Sequence, residues 1–315
     1  MKDGQGRGRR GAELSRRQLV LASVAPALAS VPAQARIAAL PFVTIGDWGR
    51  AGADEQREVG VQMGRSAAAA RSRFVISVGD NFYQDGVASL ADWQWQESFE
   101  RIYDHPALMT PWHVILGNHD YRGNVQAQID YTGPRHRWRM PARYFARREA
   151  LPGGGHADFF HIDTSPFLLA YRHSKTRIDG QDTAAQLRWL EAALARSDAA
   201  WKIVIGHHPI HTVGTGRRDT RELVERLKPI LLRHGVRIYV NGHDHNLQFV
   251  ETDGLACITC GAGSKTNPPE APAHGQFAAE SHSFMLTRLS VETFDFTLLG
   301  RRGETLYRRR VARAG

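Results

Sequence analysis

The sequence predicts an α/β domain built on a mainly parallel sheet, and three observations carry that expectation. Short apolar runs alternate with helical segments over residues 40–245, the pattern of strands joined by crossover helices. Five of these runs end in glycine followed at once by Asp, Asn or His: Gly46-Asp47, Gly79-Asp80, Gly117-Asn118, Gly206-His207 and Gly242-His243. No internal repeat or long linker interrupts residues 36–315, which read as one domain. Ligands of parallel sheets bind beyond the carboxyl ends of the strands, and glycine there lets the chain turn sharply. One such ending is ordinary; five in one chain are hard to explain as turns alone.

The elements are taken from the N-terminus. Residues 1–17 are basic and glycine-rich, and an apolar stretch runs from Leu19 to Ala29. Val31-Pro32-Ala33-Gln34-Ala35 then supplies an A-x-A cleavage pattern. Together they read as a secretory signal over residues 1–35. Ser15-Arg16-Arg17-Gln18-Leu19-Val20 resembles a twin-arginine signal, so the export machinery of that route is an expected partner. The apolar stretch is too short for a stable membrane span. Periplasmic or secreted localisation follows as an expectation.

Leu40–Ile45 reads as a strand, Glu55–Arg71 as a helix, Phe74–Val78 as a strand, Asp92–Arg101 as helical and Trp112–Leu116 as a strand. Phe159–Asp163 and Phe167–Tyr171 read as two further strands. Thr183–Arg196 reads as a helix with an apolar stripe of Leu187, Leu190 and Leu194. Trp201–Ile205 is a strand, Arg221–Arg233 one helix and Val236–Val240 a strand. Beyond residue 245 the chain reads as β: Asn246–Glu251, Leu255–Cys260, Phe284–Leu289, Thr293–Leu299 and Thr305–Arg310.

Composition narrows the function class. With 315 residues, 42% hydrophobic and 23% charged, the chain buries a core without disulfide staples. Formal charge is +9, but the signal segment carries six basic against two acidic side chains, leaving about +5 for the rest. That excess suits phosphorylated small molecules, and no nucleic-acid partner is expected. Cys257 and Cys260 lie three apart in a strand-like run, on opposite faces, so neither a bridge nor a shared metal is expected.

The five strand ends, extended, are Gly46-Asp47-Trp48-Gly49, Gly79-Asp80-Asn81-Phe82-Tyr83, Gly117-Asn118-His119-Asp120, Gly206-His207-His208-Pro209 and Gly242-His243-Asp244-His245. They offer two carboxylates, a phenol, an amide oxygen and three imidazoles, about the donor count that a metal pair clamping a phosphoryl group requires. In these motifs, in their order, the sequence resembles the calcineurin-like metallophosphoesterases over roughly residues 40–300. Within them it is similar to the purple acid phosphatases of the short, tartrate-resistant type. Most metallophosphoesterases carry a histidine two residues after the first aspartate; Gly49 stands there, and Tyr83 stands three residues after Asp80 instead, as in the purple type.

The resemblance implies a four-layer α/β/β/α sandwich with two mixed sheets between helices. It implies that Asp47, Asp80, Tyr83 and His245 hold Fe(III), while Asp80, Asn118, His207 and His243 hold a divalent partner (Fe, Zn or Mn). A phenolate is a hard anionic ligand suited to trivalent iron. Such a pair, less three anionic ligands and one hydroxide, leaves about one positive charge to attract phosphate and acidify water. The implied reaction is acid phosphomonoester hydrolysis by a metal-bound hydroxide. His119 would protonate the leaving group and Asp120 would orient it. The type's second acidic-site histidine is replaced by Thr215, followed by Gly216, so that His208 or His211 substitutes or His119 acts alone. His208 and Asp244 otherwise read as support behind the metal ligands.

Other features carry less. Arg135, His136, Arg137, Arg139 and Arg143 share a loop-like segment that reads as solvated more than as an anion grip. Gly153-Gly154-Gly155 lacks the ending of a phosphate loop, and Gly261–Lys265 reads as a rim of the cleft. Trp93 and Trp95 read as core or surface. A monomer is expected. Two rivals stand beside the monoesterase: a phosphodiesterase or nucleotide hydrolase on the same metals, and a metal- or phosphate-binding protein with little turnover.

Overall fold

The computed structural model describes Met1 and residues 38–133, 137–216, 218–272 and 276–313. The signal segment lies outside the described residues apart from Met1. Residues 37–315 make one unit. In chain order the elements are β1 (Leu40–Ile45), α1 (Gln56–Ala70), β2 (Val75–Ser77), β3 (Trp112–Val114), α2 (Val125–Asp130), β4 (Trp138–Arg139), β5 (Phe145–Ala150), β6 (His156–His161) and α3 (Thr183–Arg196). There follow β7 (Trp201–Ile205), α4 (Arg221–Arg226), α5 (Lys228–Arg233), β8 (Ile238–Asn241), β9 (Leu247–Thr252), β10 (Leu255–Cys260), β11 (Phe277–Ala279), β12 (Ser283–Leu289), β13 (Thr293–Gly300) and β14 (Thr305–Ala312).

The strands form two seven-stranded sheets, ordered β14-β13-β12-β1-β2-β3-β4 and β11-β9-β10-β8-β7-β6-β5. In the first, β1 to β4 run parallel out to one edge and β12 to β14 are antiparallel; in the second, β6, β7, β8 and β10 are parallel and both edges are antiparallel. Strand alternation sorts side chains between three apolar cores. On β1, Phe42 enters the core between the sheets while Val43 and Ile45 face Val59, Met63 and Ala67 of α1. On β7 and β8, Ile203, Ile205, Ile238 and Val240 face the other sheet, and Val204 and Tyr239 face Leu190, Leu194 and Leu231 of the outer helices. Three cores between four layers make the α/β/β/α sandwich. Cys257 and Cys260 fall in different cores and are free thiols, as their spacing implies.

Local departures have local causes. Arg221–Arg233 is two helices because Pro229 withholds the N–H that the turn before it needs. Phe167–Tyr171 is not a strand: Ser165–Phe167 and Leu169–Tyr171 are single 3-10 turns, the first opened by Pro166. Asp92–Arg101 shortens to one π-helical turn, Trp95–Glu100. α3 keeps its expected bounds, with the Asp182 carboxylate accepting the Ala185 N–H at 2.9 Å as N-cap. Gly153-Gly154-Gly155 closes the β5–β6 hairpin. Trp95 is buried and stacks on Tyr131, whereas Trp93 is exposed. No helix among the described residues is long and apolar enough to cross a membrane.

One pH effect follows from packing alone. His161 is fully buried and stacks on Phe145 at 4.4 Å. Burial, with Arg147 and His113 adding positive charge nearby, holds its pKa well below the ordinary value. The fold therefore favours the neutral ring, and the unfolded chain binds the extra proton below about pH 6.5. Stability contributed by the neutral ring is present above that pH and falls by about 1.4 kcal/mol per unit as pH drops below it. His161→Phe should flatten the loss of Tm between pH 6.5 and 4; a wild-type and variant slope that coincide would contradict this.

Candidate metal centre

The five glycine-ended strand termini from both sheets meet at one place. Asp47 follows β1, Asp80 follows β2 and Asn118 follows β3, while His207 follows β7 and His243 and His245 follow β8. Asp47, Asp80 and His207 are almost completely buried. Asp47, Asp80 and His243 adopt left-handed backbone, φ 59°, 49° and 69°. Such strain at non-glycine residues persists only where surroundings hold it, and it gathers at functional sites. Here the loops hold one another: the Asp47 N–H donates to Gly79 O at 3.0 Å, and the His243 N–H donates to Asp47 Oδ2 at 3.0 Å.

Tyr83 closes one half of the site. Its hydroxyl lies 3.1 Å from Asp47 Oδ1, 3.1 Å from Asp80 Oδ2 and 3.0 Å from His245 Nε2. One phenolic proton serves one acceptor at a time, so three lone-pair atoms around one oxygen are a donor set that fits a cation. Burial first, then Asp47 and Asp80, push the phenol well above its ordinary pKa, so that a cation must displace this proton to use the oxygen. Gly49 explains why a phenol and not a histidine stands here. A Cβ on Gly49 would overlap the Asn81 carbonyl oxygen, and Gly49 O accepts the Tyr83 N–H at 2.8 Å. The loop carrying Tyr83 thus occupies the space a side chain at 49 would need.

The other half is built from imidazoles. His207 Nδ1 donates to Val78 O at 2.9 Å, which aims Nε2 at Asp80 Oδ2, 3.5 Å away. His243 Nδ1 lies 3.0 Å from Asn118 Oδ1 and 3.3 Å from His207 Nε2. Burial would lower the His207 pKa, but Asp80 outweighs it and lifts the group to about 9; the same pairing holds Asp80 far below the carboxylate range. A proton or a cation must therefore sit beside this pair, and Asp80 faces both halves. Asp47, Asp80 and His207 bring ligand atoms within 4.8 Å of one another, as do His207, His208 and His243. The residues present fit a two-metal site with Asp80 in the middle.

His119 stands over the phenol, ring centroids 4.4 Å apart. Its Nδ1 meets the Gln84 carbonyl at 2.6 Å, leaving Nε2 toward the centre, 4.0 Å from Asp80 Oδ2. Asp120 does not orient it, contrary to expectation. The fully buried Asp120 carboxylate accepts from the backbone N–H of Gly117 and Asn81 and from Gln128, stapling the loops after β2 and β3. Burial and then Asp80 raise its pKa to about 7. His208 also departs from a substrate-facing role. Thr164 Oγ1 accepts the N–H groups of His207 and His208, so its proton goes to His208 Nδ1 at 2.8 Å, and Nε2–H donates to Tyr171 Oη at 2.9 Å. His211 is turned away: Nδ1 meets Asp219 at 2.6 Å and Nε2 meets Lys228 at 2.8 Å. Neither supplies the missing second histidine.

Several contributors carried no motif. Arg50 lies over the Tyr83 ring at 3.8 Å and donates to Ser264 Oγ at 3.1 Å; Ser264 in turn donates to Asp47 O at 2.6 Å. Gly261–Lys265 is therefore a brace under Asp47. Tyr171 lay in a segment read as a plain strand, and Thr164 in the connection just after one. Arg137 is buried against the Phe99 and Leu108 carbonyls and pairs with Glu100, and it does not reach the centre; Arg135 and His136 lie outside the described residues.

Comparison with known proteins agrees with this geometry. The calcineurin-like phosphoesterase family matches residues 40–247. Purple acid phosphatase 7 of Arabidopsis thaliana is 41% identical over 72% of this chain and 70% of its own length. Tartrate-resistant acid phosphatase type 5 of Homo sapiens is 31% identical over 87% and 91%. Among solved structures, GAP50, described as the anchor in the inner membrane complex of Plasmodium, is 25% identical with a TM-score of 0.78, covering 88% of this chain and 90% of that one. Purple acid phosphatase PPD1 from yellow lupin seeds shares the fold, TM-score 0.65 at 16% identity, over 88% and 54%. The chain belongs to the calcineurin-like phosphoesterases and, within them, to the purple acid phosphatases.

Proposed function

We propose that this protein is a binuclear-metal acid phosphatase that hydrolyses phosphate monoesters of small molecules. The observation that carries the reading is the convergence of seven donor side chains from both sheets, with Asp80 between two halves and His119 beside them. Asp47, Asp80, Tyr83 and His245 would hold Fe(III); Asp80, Asn118, His207 and His243 would hold Fe, Zn or Mn in the divalent state. When bound, the pair supplies positive charge for the phosphate group and acidity for water.

The chain's own residues do the rest. His207 Nδ1–H on Val78 O and the Thr164–His208–Tyr171 string fix ring orientations behind the ligands. His119, with Nδ1–H held by Gln84 O, presents Nε2 to the leaving-group oxygen and delivers its proton there. The Plasmodium neighbour is described as an anchor, so the fold alone does not decide turnover; complete ligation and His119 support hydrolysis. The signal-like N-terminus supports export to the periplasm or beyond.

The rival on the same site is diester hydrolysis. The rate on an aryl monoester should exceed that on the matching aryl diester by at least about tenfold, measured as kcat/KM on protein loaded with iron and zinc. A diester preference would overturn the monoesterase reading.

A further inference from the structure

Gly49 and Arg50 act on Tyr83 in succession. Gly49 O accepts the Tyr83 N–H at 2.8 Å, and the Arg50 guanidinium covers the ring, with Cζ 3.8 Å from its centroid. Both ends of Arg50 are held. Its backbone N–H donates to Gln56 Oε1 at 3.0 Å, and the next N–H, of Ala51, donates to Ser98 Oγ at 2.9 Å. At the tip, Nε donates to Ser264 Oγ at 3.1 Å, and Ser264 donates to Asp47 O at 2.6 Å. Gln56, Ser98 and Ser264 are buried, and the Arg50 side chain is only 10% exposed. A side chain so placed acts through Tyr83 rather than on a substrate. Asp54 lies 3.6 Å from Nε, but its carboxylate is half exposed, where an ion pair is worth little and offsets little of the charge. Arg122, by contrast, lies 3.0 Å from His119 Nδ1 and acts on that ring.

The phenol has use for such a neighbour. Its oxygen lies 3.1 Å from both Asp47 Oδ1 and Asp80 Oδ2, so a phenolate there adds a third negative charge to one buried corner. A cation over an aromatic face is attracted to the ring's π electrons, and more strongly when the ring is anionic. Burial leaves that attraction weakly screened. A phenolate covered in this way gives less charge to a cation at its oxygen. Resting on the assignment of Tyr83 to Fe(III) in the proposed function, we propose that Arg50 is a positioning residue of the metal centre. Its guanidinium holds the Tyr83 ring and draws charge from the Tyr83 oxygen, which keeps the iron site electron-poor. At such a site water is more acidic and iron is more easily reduced. The same withdrawal sets the colour. The visible band of an iron phenolate moves a ring electron toward the metal, so a lower π energy in the ring raises the energy of the band.

The test compares absorption spectra and iron reduction potentials of the full chain loaded with iron and zinc. Two neutral variants, Arg50→Met and Arg50→Gln, stand against the charge-retaining Arg50→Lys. The hydrogen bonds of the Arg50 and Ala51 N–H groups do not use the side chain, so the loop keeps its anchors in all three. Both neutral variants should move the visible band to longer wavelength and lower the potential at which the iron is reduced, with both metals still bound. Arg50→Lys should keep the band closer to its wild-type position than either neutral variant does. A band in the same place in wild type, Arg50→Met and Arg50→Gln overturns the proposal and leaves Tyr83 standing as a ligand. A shift as large in Arg50→Lys as in the neutral variants also overturns it, because packing and not charge would then set the band. Iron bound to the wild type without a visible band overturns the Tyr83 assignment itself, and the role of Arg50 with it.

Discussion

Tyr83→Phe is expected to remove the visible absorption of the iron-loaded protein and to lower phosphate release by at least about a hundredfold. The hydroxyl is the only atom the substitution deletes. It is also the atom at which Asp47, Asp80 and His245 converge, at 3.0–3.1 Å. The ring keeps its contacts with Arg50 and His119, so the loop that replaces a side chain at Gly49 stays in place. On the proposed iron assignment, what is lost is the anionic, polarisable ligand that would give a trivalent iron its colour. Metal analysis and an absorption spectrum on folded variant check this. A variant that keeps the wild-type spectrum would show that Tyr83 does not ligate iron.

His119→Ala carries the second large effect: kcat down by about 10²–10⁴ with metal content unchanged. Nε2 touches no other donor as closely as a ligand would, being 4.0 Å from Asp80, so its loss leaves the ligand set whole. Burial lowers the His119 pKa below its ordinary value, against the pull of Asp80 and the Gln84 carbonyl, with Arg122 adding to the decrease. The acid form is therefore present only toward low pH, and activity should decline as pH rises through that pKa. His119→Ala should lose this decline along with the rate. Equal kcat, or an unchanged pH profile, would remove the general-acid role.

Much of the fold was legible because the local signals agree with the global arrangement. Leu40–Ile45 and Leu255–Cys260 are observed within the bounds read from their apolar runs, and α3 was marked by its Leu stripe. The pairing of two sheets was not visible in periodicity, since a strand buried on both faces looks the same in one sheet or in two. β4, β5 and β11 were missed: Trp138–Arg139 is two residues long, and Phe145–Ala150 carries Arg147, Arg148 and Glu149 on an edge. Phe167–Tyr171 misled because a short apolar run has no period of its own.

The centre was legible for a different reason. Its seven candidate donors sit in or just beyond glycine-ended strand termini, where side-chain type and position are both constrained, and their side chains meet. What failed were roles read from adjacency. Asp120 follows His119 in sequence, but the 3-10 turn that begins there swings its carboxylate toward Gly117, Asn81 and Gln128. His208 follows His207, yet Thr164 and Tyr171 claim both its nitrogens.

The most direct test titrates the purified, metal-stripped protein with iron and zinc while following phosphate release from an aryl monoester at acidic pH. The two-metal account predicts negligible turnover without metal, a rise that levels at two equivalents per chain, and loss of turnover on chelation. Full turnover in the stripped protein, or a plateau at one equivalent, would contradict it.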